Sequence, residues 1–362
     1  MKPPTNPPRR RHSRRLALPA MAAIVACALL PASAYTKQKP AKPLYWGAVI
    51  GKQLTGEAPP SDFNAVAAFE QIAGKGISLL SFSQPFADCS TICRPFPFPK
   101  IPMETLREHG TIPFLSWASQ SVPSSLNQPA YKLSAVINGA HDPYIREFAE
   151  VAKEWGYPFF LRFDAEMNGF WFPWSEGVNG NKPGEFVAAW RHVRDIFTQV
   201  GTTNATWVWC PNVDFTKNLT PLEKLYPGDA YVDWTCIDGF NWGKTRNSVG
   251  WQSFDQVFSS TYKRIAKIAP RKPMVIGETA SEERGGSKAN WIKETFKVIP
   301  QKYRKVRAVI WFDEKDQGMH WPIESSKSAA NAFAKSIARP IFRPNEFVNM
   351  TPGSRVYPPP GG

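Results

Sequence analysis

Cysteine and histidine are scarce in this sequence, with five of each among 362 residues. They do not cluster either, because no other Cys or His stands near the closest pair of thiols, Cys89 and Cys93. A structural zinc ion takes four such ligands, so this spacing argues against a zinc site. No cysteine has an evident catalytic partner, which argues equally against a cysteine nucleophile.

Nucleic-acid signatures are also missing. The net charge is +14, but residues 1–34 contain six Lys or Arg and no acid, so the rest of the chain carries about +8. That remaining charge is spread over single Lys and Arg residues, with a modest cluster at 264–272 and no basic helix. A cationic, solvated surface is the simpler interpretation, and no nucleic-acid partner is expected.

The first 34 residues have the pattern of an export signal. MKPPTNPPRRRHSRR is basic, an apolar run follows from 16 to 30, and PASA then precedes Tyr35. This order predicts a signal peptide that is cleaved after Ala34. The pair Arg14 and Arg15 also resembles a twin-arginine signal. The mature protein is therefore expected to be secreted or to reside in the cell envelope.

Two other interpretations of this segment stay open. One is an uncleaved membrane anchor, although an apolar run of about 15 residues that Pro19 interrupts is short for crossing a bilayer. The other is a lipoprotein, since residues 24–27 end at Cys27 like a lipoprotein cleavage site. Apolar residues continue after Cys27, which argues against lipidation there. Either alternative would attach the protein to a membrane through its N-terminal segment only.

Four cysteines follow residue 34. Cys89 and Cys93 lie in the loop DCSTICRP, and two close thiols in an exported chain predict a disulfide. Cys210 and Cys236 fall within predicted strands. For that pair, two buried free thiols are at least as reasonable as a bridge, so their redox state stays open.

Short apolar runs that are rich in β-formers recur along the chain and predict strands. They are almost continuously apolar rather than alternating, as expected for strands that are covered on both faces. Eight such runs occupy residues 44–51, 77–84, 111–119, 159–166, 205–212, 235–242, 273–280 and 307–314. Helical patterns lie between them, among others at 143–155, 184–201, 252–269, 288–299 and 325–338.

Eight strands that alternate with helices over roughly 280 residues predict an α/β fold, the (β/α)8 TIM barrel, as one domain at 44–340. A doubly wound sheet is the alternative, but no glycine-rich phosphate loop follows the first strand. Residues 35–43 are interpreted as a linker. The Pro-rich tail at 341–362, which ends in YPPPGG, is expected to be loose. The protein is expected to be a monomer.

Polar and aromatic residues stand at the predicted carboxyl ends of the strands, where such barrels place their active sites. Glu166 ends the fourth strand and Glu278 the seventh, so the two face each other across the barrel mouth. Two carboxylates about 5 Å apart suit a retaining glycosidase, in which one is the nucleophile and the other the acid/base. The alternative is that each glutamate pairs with a nearby Arg or Lys. Further candidates for stacking on sugar rings or binding hydroxyls are Trp117, Asn168, Trp171, Trp174, Asn212, Asn241, Trp242 and Trp311.

Three segments carry a resemblance to a known family. R-x-x-x-E-M-N-G-x-W-F-x-W, from Arg162 to Trp174, resembles the acid/base segment of glycoside hydrolase family 26, the endo-β-mannanases and related β-glycanases. YPGDAYVDWTCIDGFNWG and VIGETAS resemble the sixth-strand and nucleophile segments of the same family. The resemblance covers most of residues 44–335.

The resemblance implies a role for several residues. It implies a retaining mechanism with Glu166 as acid/base and Glu278 as nucleophile. It also implies that Trp171 is a sugar platform and that Trp311 lies beneath the scissile sugar. Arg162 would support the catalytic carboxylates from within the barrel.

Two positions depart from the family pattern. Ala165 stands where the mannanases usually carry His before the acid/base, and Phe240 is the nearest match to a sixth-strand Tyr. Both changes remove hydrogen bonds close to the scissile sugar. Asp164, two residues before Glu166, is a candidate substitute, although strand parity predicts the same face for it as for Glu166.

These features together predict an exported, retaining endo-β-glycanase. The expected substrate is a polysaccharide, first a β-1,4-mannan and next a related β-glucan. No metal or organic cofactor is expected, because the two carboxylates supply both proton transfer and covalent catalysis. The alternative is a carbohydrate-binding barrel with weak or no activity, which Ala165 and Phe240 favour and the presence of both glutamates opposes.

Overall fold

The computed structural model describes residues 1–8, 10, 41–215, 220–246 and 249–360. The chain divides into two compact units, Met1–Pro40 and Ala41–Gly362. Most of the predicted signal peptide and linker, residues 11–40, lies outside the described residues. Among the residues that are described, no helix combines the length and apolarity that a membrane span requires.

A closed barrel of eight parallel strands forms the centre of the described part of the second unit. The barrel strands are β1 Tyr45–Ile50, β2 Leu79–Asp88, β4 Ile112–Val122, β5 Phe159–Phe163, β6 Ala205–Trp209, β7 Trp234–Asn241, β8 Met274–Ser281 and β9 Val306–Asp313. A two-residue strand, β3 (Arg94–Pro95), pairs antiparallel with β2. The barrel closes because β1 pairs with both β2 and β9. The predicted (β/α)8 fold is confirmed.

Helices surround the barrel. They are α1 Asn64–Ala73, α2 Lys100–Glu108, α3 Leu133–Ile137, α4 Asp142–Trp155, α5 Glu185–Val200, α6 Leu222–Leu225, α7 Phe254–Ile268, α8 Lys288–Lys302 and α9 Lys327–Ile337. Helix α4 shows why these segments are helical: a proline stands in its first turn, one face is buried, and Gly156 ends it. The φ of Gly156 is 80°, which glycine adopts without strain.

Two apolar layers hold the barrel together. Inward-facing side chains such as Phe114, Phe160 and Ile310 fill its interior. Outward-facing strand side chains such as Trp207 and Leu161 pack beneath the helices. Successive residues of a strand point to opposite faces, so neighbours in the sequence serve different layers. This parity decides which residues near the strand ends reach the barrel mouth.

The expectation of a loose C-terminal tail is wrong. The Val356 backbone donates to Thr206 Oγ1 at 2.7 Å and accepts from Trp234 Nε1 at 2.9 Å. Tyr45 Oη donates to the Tyr357 carbonyl at 2.8 Å, and the Phe347 ring packs edge-on against Tyr45. These partners lie at the amino ends of the strands, so the tail covers the end of the barrel opposite the candidate site.

Candidate active site

Glu166 and Glu278 lie close together at the carboxyl ends of β5 and β8, the fourth and seventh barrel strands. One carboxylate oxygen of each, and one of Asp238, all lie within 4.8 Å of one another. Retaining glycosidases place their two carboxyl groups about 5–5.5 Å apart, whereas inverting enzymes need about 6.5–9.5 Å to admit a water. The spacing therefore suits direct attack by one carboxylate.

Arg162 holds Glu278 from inside the barrel. Its Nη2 donates to Glu278 Oε1, its Nη1 to Asp238 Oδ2 at 2.8 Å, and its Nε to Ser116 Oγ at 2.8 Å. Burial acts to lower the pKa of Arg162, but the charges of Asp238 and Glu278 outweigh it and raise that pKa above its ordinary value. The guanidinium thereby fixes the orientation of the Glu278 carboxyl group and places a permanent positive charge beside it.

Asp238 belongs to this site although sequence reasoning did not select it. Its side chain is fully buried in β7 and forms an ion pair with Arg162. A signal was available, because a buried arginine needs an acidic partner and Asp238 interrupts a largely apolar strand. Gly277 makes the contact feasible: a Cβ there would lie 2.6 Å from Asp238 Oδ1 and 2.4 Å from Cys236 Sγ.

Glu166 is the better candidate for the protonated carboxyl. Burial, together with the charge of Glu278, raises the pKa of Glu166 to about 7. Two donors oppose that rise, Asn212 Nδ2 to Oε1 at 2.6 Å and Trp171 Nε1 to Oε2 at 2.6 Å. A carboxyl with a pKa near neutrality can donate a proton to a leaving oxygen and take one back from water. Asn212 and Trp171 thus contact the acid/base candidate directly, and their predicted binding of sugar stays a prediction.

The backbone turns sharply at Glu166. Strand β5 ends at Phe163, and both Asp164 (φ 42°) and Glu166 (φ 56°) adopt left-handed conformations. Such a φ is uncommon for a residue other than glycine and is concentrated at functional sites. Strand parity is lost there, so the predicted equivalence of Asp164 and Glu166 is wrong. The Asp164 carboxylate instead accepts from the backbone N–H and the hydroxyl of Ser119, each at 2.7 Å.

Trp171 and Trp174 occupy the loop that follows Glu166. The Trp171 ring lies over Gly169, where a Cβ would come within 2.6 Å of it, so glycine permits this approach. Trp174 is 3% exposed, stacks on Phe172 with ring centroids 4.4 Å apart, and donates from Nε1 to the Ala165 carbonyl at 2.7 Å. Trp174 therefore anchors the loop and presents Phe172 to the site.

Two predicted tryptophans do not face the mouth. The Trp117 ring stacks on Phe148 of α4, with centroids 4.3 Å apart and its Nε1 bonded to Tyr144. The Trp311 ring packs between Trp291 of α8 and Phe333 of α9 and is 1% exposed. Both rings point outward from the barrel because of strand parity. The predicted position of Trp311 beneath the scissile sugar is therefore wrong. Trp117 still borders the cavity beside the glutamates, although its ring packs under α4, and its role in binding substrate stays a prediction.

Phe312 is the aromatic residue that β9 turns inward, next to Trp311. It is partly exposed, and its ring lies edge-on to Phe240 of β7 with centroids 5.5 Å apart. Phe240 also packs against Trp242. The Arg246 guanidinium covers one face of the Trp242 ring at 3.3 Å from its centroid. A role of Trp242 in binding sugar stays a prediction.

Two predicted asparagines are structural. Asn168 is fully buried and exchanges two hydrogen bonds with the Asn212 backbone, at 2.9 and 3.0 Å. Asn241 is also fully buried: it accepts from the Gln252 and Gly243 backbones and donates to Ser281 Oγ. Neither amide has a free polar atom for a sugar hydroxyl, so their predicted role in binding sugar is wrong. They hold the loops that follow β5 and β7.

The structure contains both cysteine pairs as disulfides. Cys89 is bonded to Cys93, as predicted, in the loop after β2. Cys210 is bonded to Cys236, between the end of β6 and β7, which answers the question that the sequence left open. The second bridge lies in the barrel interior beside Asp238.

A cavity opens beside the two glutamates, towards β2, β4 and the loop after β5. Its lining is Ser83, Ser116, Trp117, Ala118, Gln120, Arg162, Ala165, Glu166, Phe172, Trp174 and Glu278. Phe172 and Trp174 give this lining an aromatic part, and Ser83, Ser116 and Gln120 give it a polar part. Such a combination suits a sugar, which has apolar ring faces and a polar edge. The sequence did not reveal Gln120, because β4 extends beyond the predicted strand end at residue 119. It did not reveal Ser83 either, because β2 carries no distinctive motif.

The barrel and the glutamate pair at its carboxyl end define the class to which this protein belongs, the (β/α)8-barrel glycoside hydrolases. Residues 108–308 match the family model described as glycosyl hydrolase family 26. The chain belongs to that family.

Known proteins show the same relationship. The chain is 36% identical over 311 residues to Endoglucanase H of Acetivibrio thermocellus, which covers 84% of this chain. It spans only 31% of the length of that relative. Among solved structures, an endo-β-1,4-mannanase of Cellulomonas fimi is 18% identical with a TM-score of 0.61, covering 88% of this chain and 76% of that one. A family 26 β-mannanase from Bacteroides ovatus is 15% identical with a TM-score of 0.60, covering 84% and 90%. The structural likeness shows the fold.

Proposed function

We propose that this protein is an exported, retaining endo-β-glycanase in which Glu278 is the nucleophile and Glu166 the acid/base. The observation that carries the proposal is the pair of carboxylates within 4.8 Å, of which Glu278 is bonded to Arg162 while the pKa of Glu166 is raised to about 7. Membership of glycosyl hydrolase family 26 supports the same chemistry.

The first step forms a glycosyl-enzyme. The Glu278 carboxylate, held in place by Arg162, attacks the anomeric carbon as the bond from that carbon to the glycosidic oxygen breaks. Glu166 donates its proton to the departing oxygen, so the leaving sugar departs as a neutral alcohol. The charge of Glu278 is consumed in the new ester bond, which removes the repulsion that favoured the protonated form of Glu166.

The second step releases the product. With Glu278 neutralised, the pKa of Glu166 falls, and its carboxylate takes a proton from a water that attacks the same anomeric carbon. Asn212 and Trp171 stabilise that carboxylate through their hydrogen bonds at 2.6 Å. Glu278 leaves as a carboxylate, Arg162 again balances its charge, and the product has the configuration of the substrate.

The proposed substrate is a β-1,4-mannan or a related β-glucan. The matching relative is named an endoglucanase, and the structural neighbours are named β-mannanases, so the two kinds of relative point to different sugars. Ala165, which lines the cavity, and Phe240 both lack the polar groups that the resemblance leads one to expect at their positions. A β-glucan is therefore as well supported as a β-mannan as the substrate.

Export is supported by the basic, apolar and PASA segments of residues 1–34 and by the two disulfides, which persist in oxidising compartments. N-terminal sequencing of protein recovered from the culture medium tests it. A mature chain that begins at Tyr35 is expected. An N-terminus at Cys27, with the protein in the membrane fraction, would indicate the lipoprotein instead.

A reducing-end assay on purified residues 35–362 tests the proposed activity. The substrates are β-mannans, mixed-linkage glucan, cellulose, xylan and arabinan, with Glu278→Ala as the matched inactive variant. Activity on a β-mannan or β-glucan that falls by at least about 10⁴-fold in the variant is expected. Silence across the panel, with a glycan still retarding the protein in an affinity gel, would support the carbohydrate-binding alternative.

A further inference from the structure

We propose that Gln120 recognises a hydroxyl group of the sugar that reacts with Glu278, and so helps to determine which glycan is cleaved. This inference rests on the proposed hydrolysis of a β-glycan. Gln120 lies on β4, in the same cavity as Glu166 and Glu278. None of the three segments that resemble the family contains it.

Strand parity directs Gln120 into the cavity. Ser116, Ala118 and Gln120 alternate along β4 and all line the cavity. Ser116 lies deepest, where it binds Arg162 beneath the glutamate pair. Ala118 has no side chain beyond Cβ, so the space above it is free for the Gln120 amide and for a ligand.

The Gln120 amide has no hydrogen-bond partner among the contacts of the described residues. Two other glutamines nearby are different: Gln84 Nε2 donates to the Pro97 carbonyl at 2.9 Å, and Gln128 Oε1 accepts from the Ser121 backbone at 2.8 Å. Those two amides hold the fold together. The amide of Gln120 keeps one acceptor and two donor positions for a ligand.

The backbone on either side of Gln120 is fixed. Ser119 donates from its backbone and hydroxyl to Asp164, and Ser121 donates from both groups to Gln128 Oε1. These bonds hold the outward-facing neighbours on both sides of Gln120. A side chain carried on such a supported strand binds a hydroxyl at a low cost in conformational entropy.

The other polar groups of the cavity are already committed. Arg162 and Ser116 bind each other, and Glu166 and Glu278 are assigned to the reaction. Ala165, which precedes the acid/base, offers no polar atom. Gln120 and Ser83 are therefore the uncharged polar side chains of the cavity lining that can form hydrogen bonds with sugar hydroxyls. Gln120 has the longer side chain, and its amide can both donate and accept hydrogen bonds.

A double-mutant-type cycle tests the proposal: one change removes the Gln120 side chain and the other removes a hydroxyl group of the substrate. Wild type and Gln120→Ala are assayed on 2,4-dinitrophenyl β-cellobioside and β-mannobioside. They are also assayed on deoxy analogues, each of which lacks one hydroxyl group of the ring that bears the leaving group. On the better parent substrate, Gln120→Ala is expected to lower kcat/KM about 10- to 100-fold. On one deoxy analogue, the same substitution is expected to change kcat/KM by less than about threefold, because the partner hydroxyl is already missing.

The controls separate the outcomes. Gln301→Ala, an exposed position on α8, is expected to match wild type, and the melting temperatures show that each variant is folded. An equal loss on every analogue, or no loss on the parents, would overturn the role of Gln120 while leaving the proposed hydrolysis intact. A wild type that cleaves neither parent nor any glycan would remove the hydrolase proposal, and this inference with it.

Discussion

At the residue scale, the proposed chemistry depends on two carboxylates that differ in protonation although they lie within 4.8 Å of each other. Arg162 donates to Glu278, whereas Glu166 receives only uncharged donors. Burial and the charge of Glu278 therefore raise the pKa of Glu166 to about 7. The roles of acid and nucleophile follow from this difference in environment.

The pH dependence of the reaction tests the assignment of Glu166. Because the first step needs the protonated form, kcat/KM is expected to fall as the pH rises through about 7. This decrease at high pH is the alkaline limb of the pH profile. It should vanish in Glu166→Ala when the substrate has a leaving group that needs no proton. Asp164→Asn is the control: burial also raises the pKa of Asp164 to about 7, but its carboxylate faces Ser119. Loss of the limb in Asp164→Asn would contradict the assignment.

The bond from Trp171 to Glu166 gives a second prediction. The N–H group of Trp171 donates to Glu166 Oε2 and so favours the ionised carboxylate. Trp171→Phe keeps an aromatic ring but removes this donor. The pKa of Glu166 should therefore rise, and the alkaline limb of kcat/KM should move upward by about one pH unit. Trp174→Phe removes a donor to a backbone carbonyl and is expected to leave the limb in place. Equal shifts in both variants would refute a specific effect of Trp171.

Parity explains which candidate residues were predictable. Glu166 and Glu278 were found because strand ends and the acid/base motif are visible in the sequence. The directions of the Trp117 and Trp311 rings are not predictable in this way, since a tryptophan at a strand end faces either the mouth or the helices, and only the exact register decides. Asn168 was misjudged because the turn after Phe163 leaves strand geometry altogether.

At the element scale, the C-terminal tail and the strands depend on each other. The tail contributes Val356, Phe347 and Met350 to the apolar layer that fills the barrel interior. Its hydrogen bonds reach β1, β6 and β7 at their amino ends. Composition alone suggested a loose segment, because a proline-rich stretch does not reveal a partner 150 residues earlier in the chain.

A pair of matched substitutions tests this closure. Val356→Asp would bury an unpaired carboxylate, or force the tail away, and is expected to lower the free energy of unfolding by about 3 kcal/mol or more. Val348→Asp lies in the same tail but at a position that is 37% exposed, so a change within about 0.5 kcal/mol is expected. Denaturant titration measures both. Equal effects of the two substitutions would show that the tail does not seal the barrel.

At the scale of the whole molecule, the sequence was sufficient for the architecture and insufficient for the substrate. Eight continuously apolar strands have few ways to be covered on both faces, and the barrel is one of them. The proposed determinant of the sugar, Gln120, belongs to no motif. Its role follows from side-chain direction, which the register and parity of its strand determine.

The stereochemistry of hydrolysis tests the central claim most directly. Proton NMR can follow the anomeric signals of the first products released from the best β-glycan, before mutarotation mixes them. The two-glutamate mechanism, with carboxylates within 4.8 Å, predicts that the β-anomer appears first. Initial release of the α-anomer would mean that a water attacks directly, and Glu278 could not then be the nucleophile.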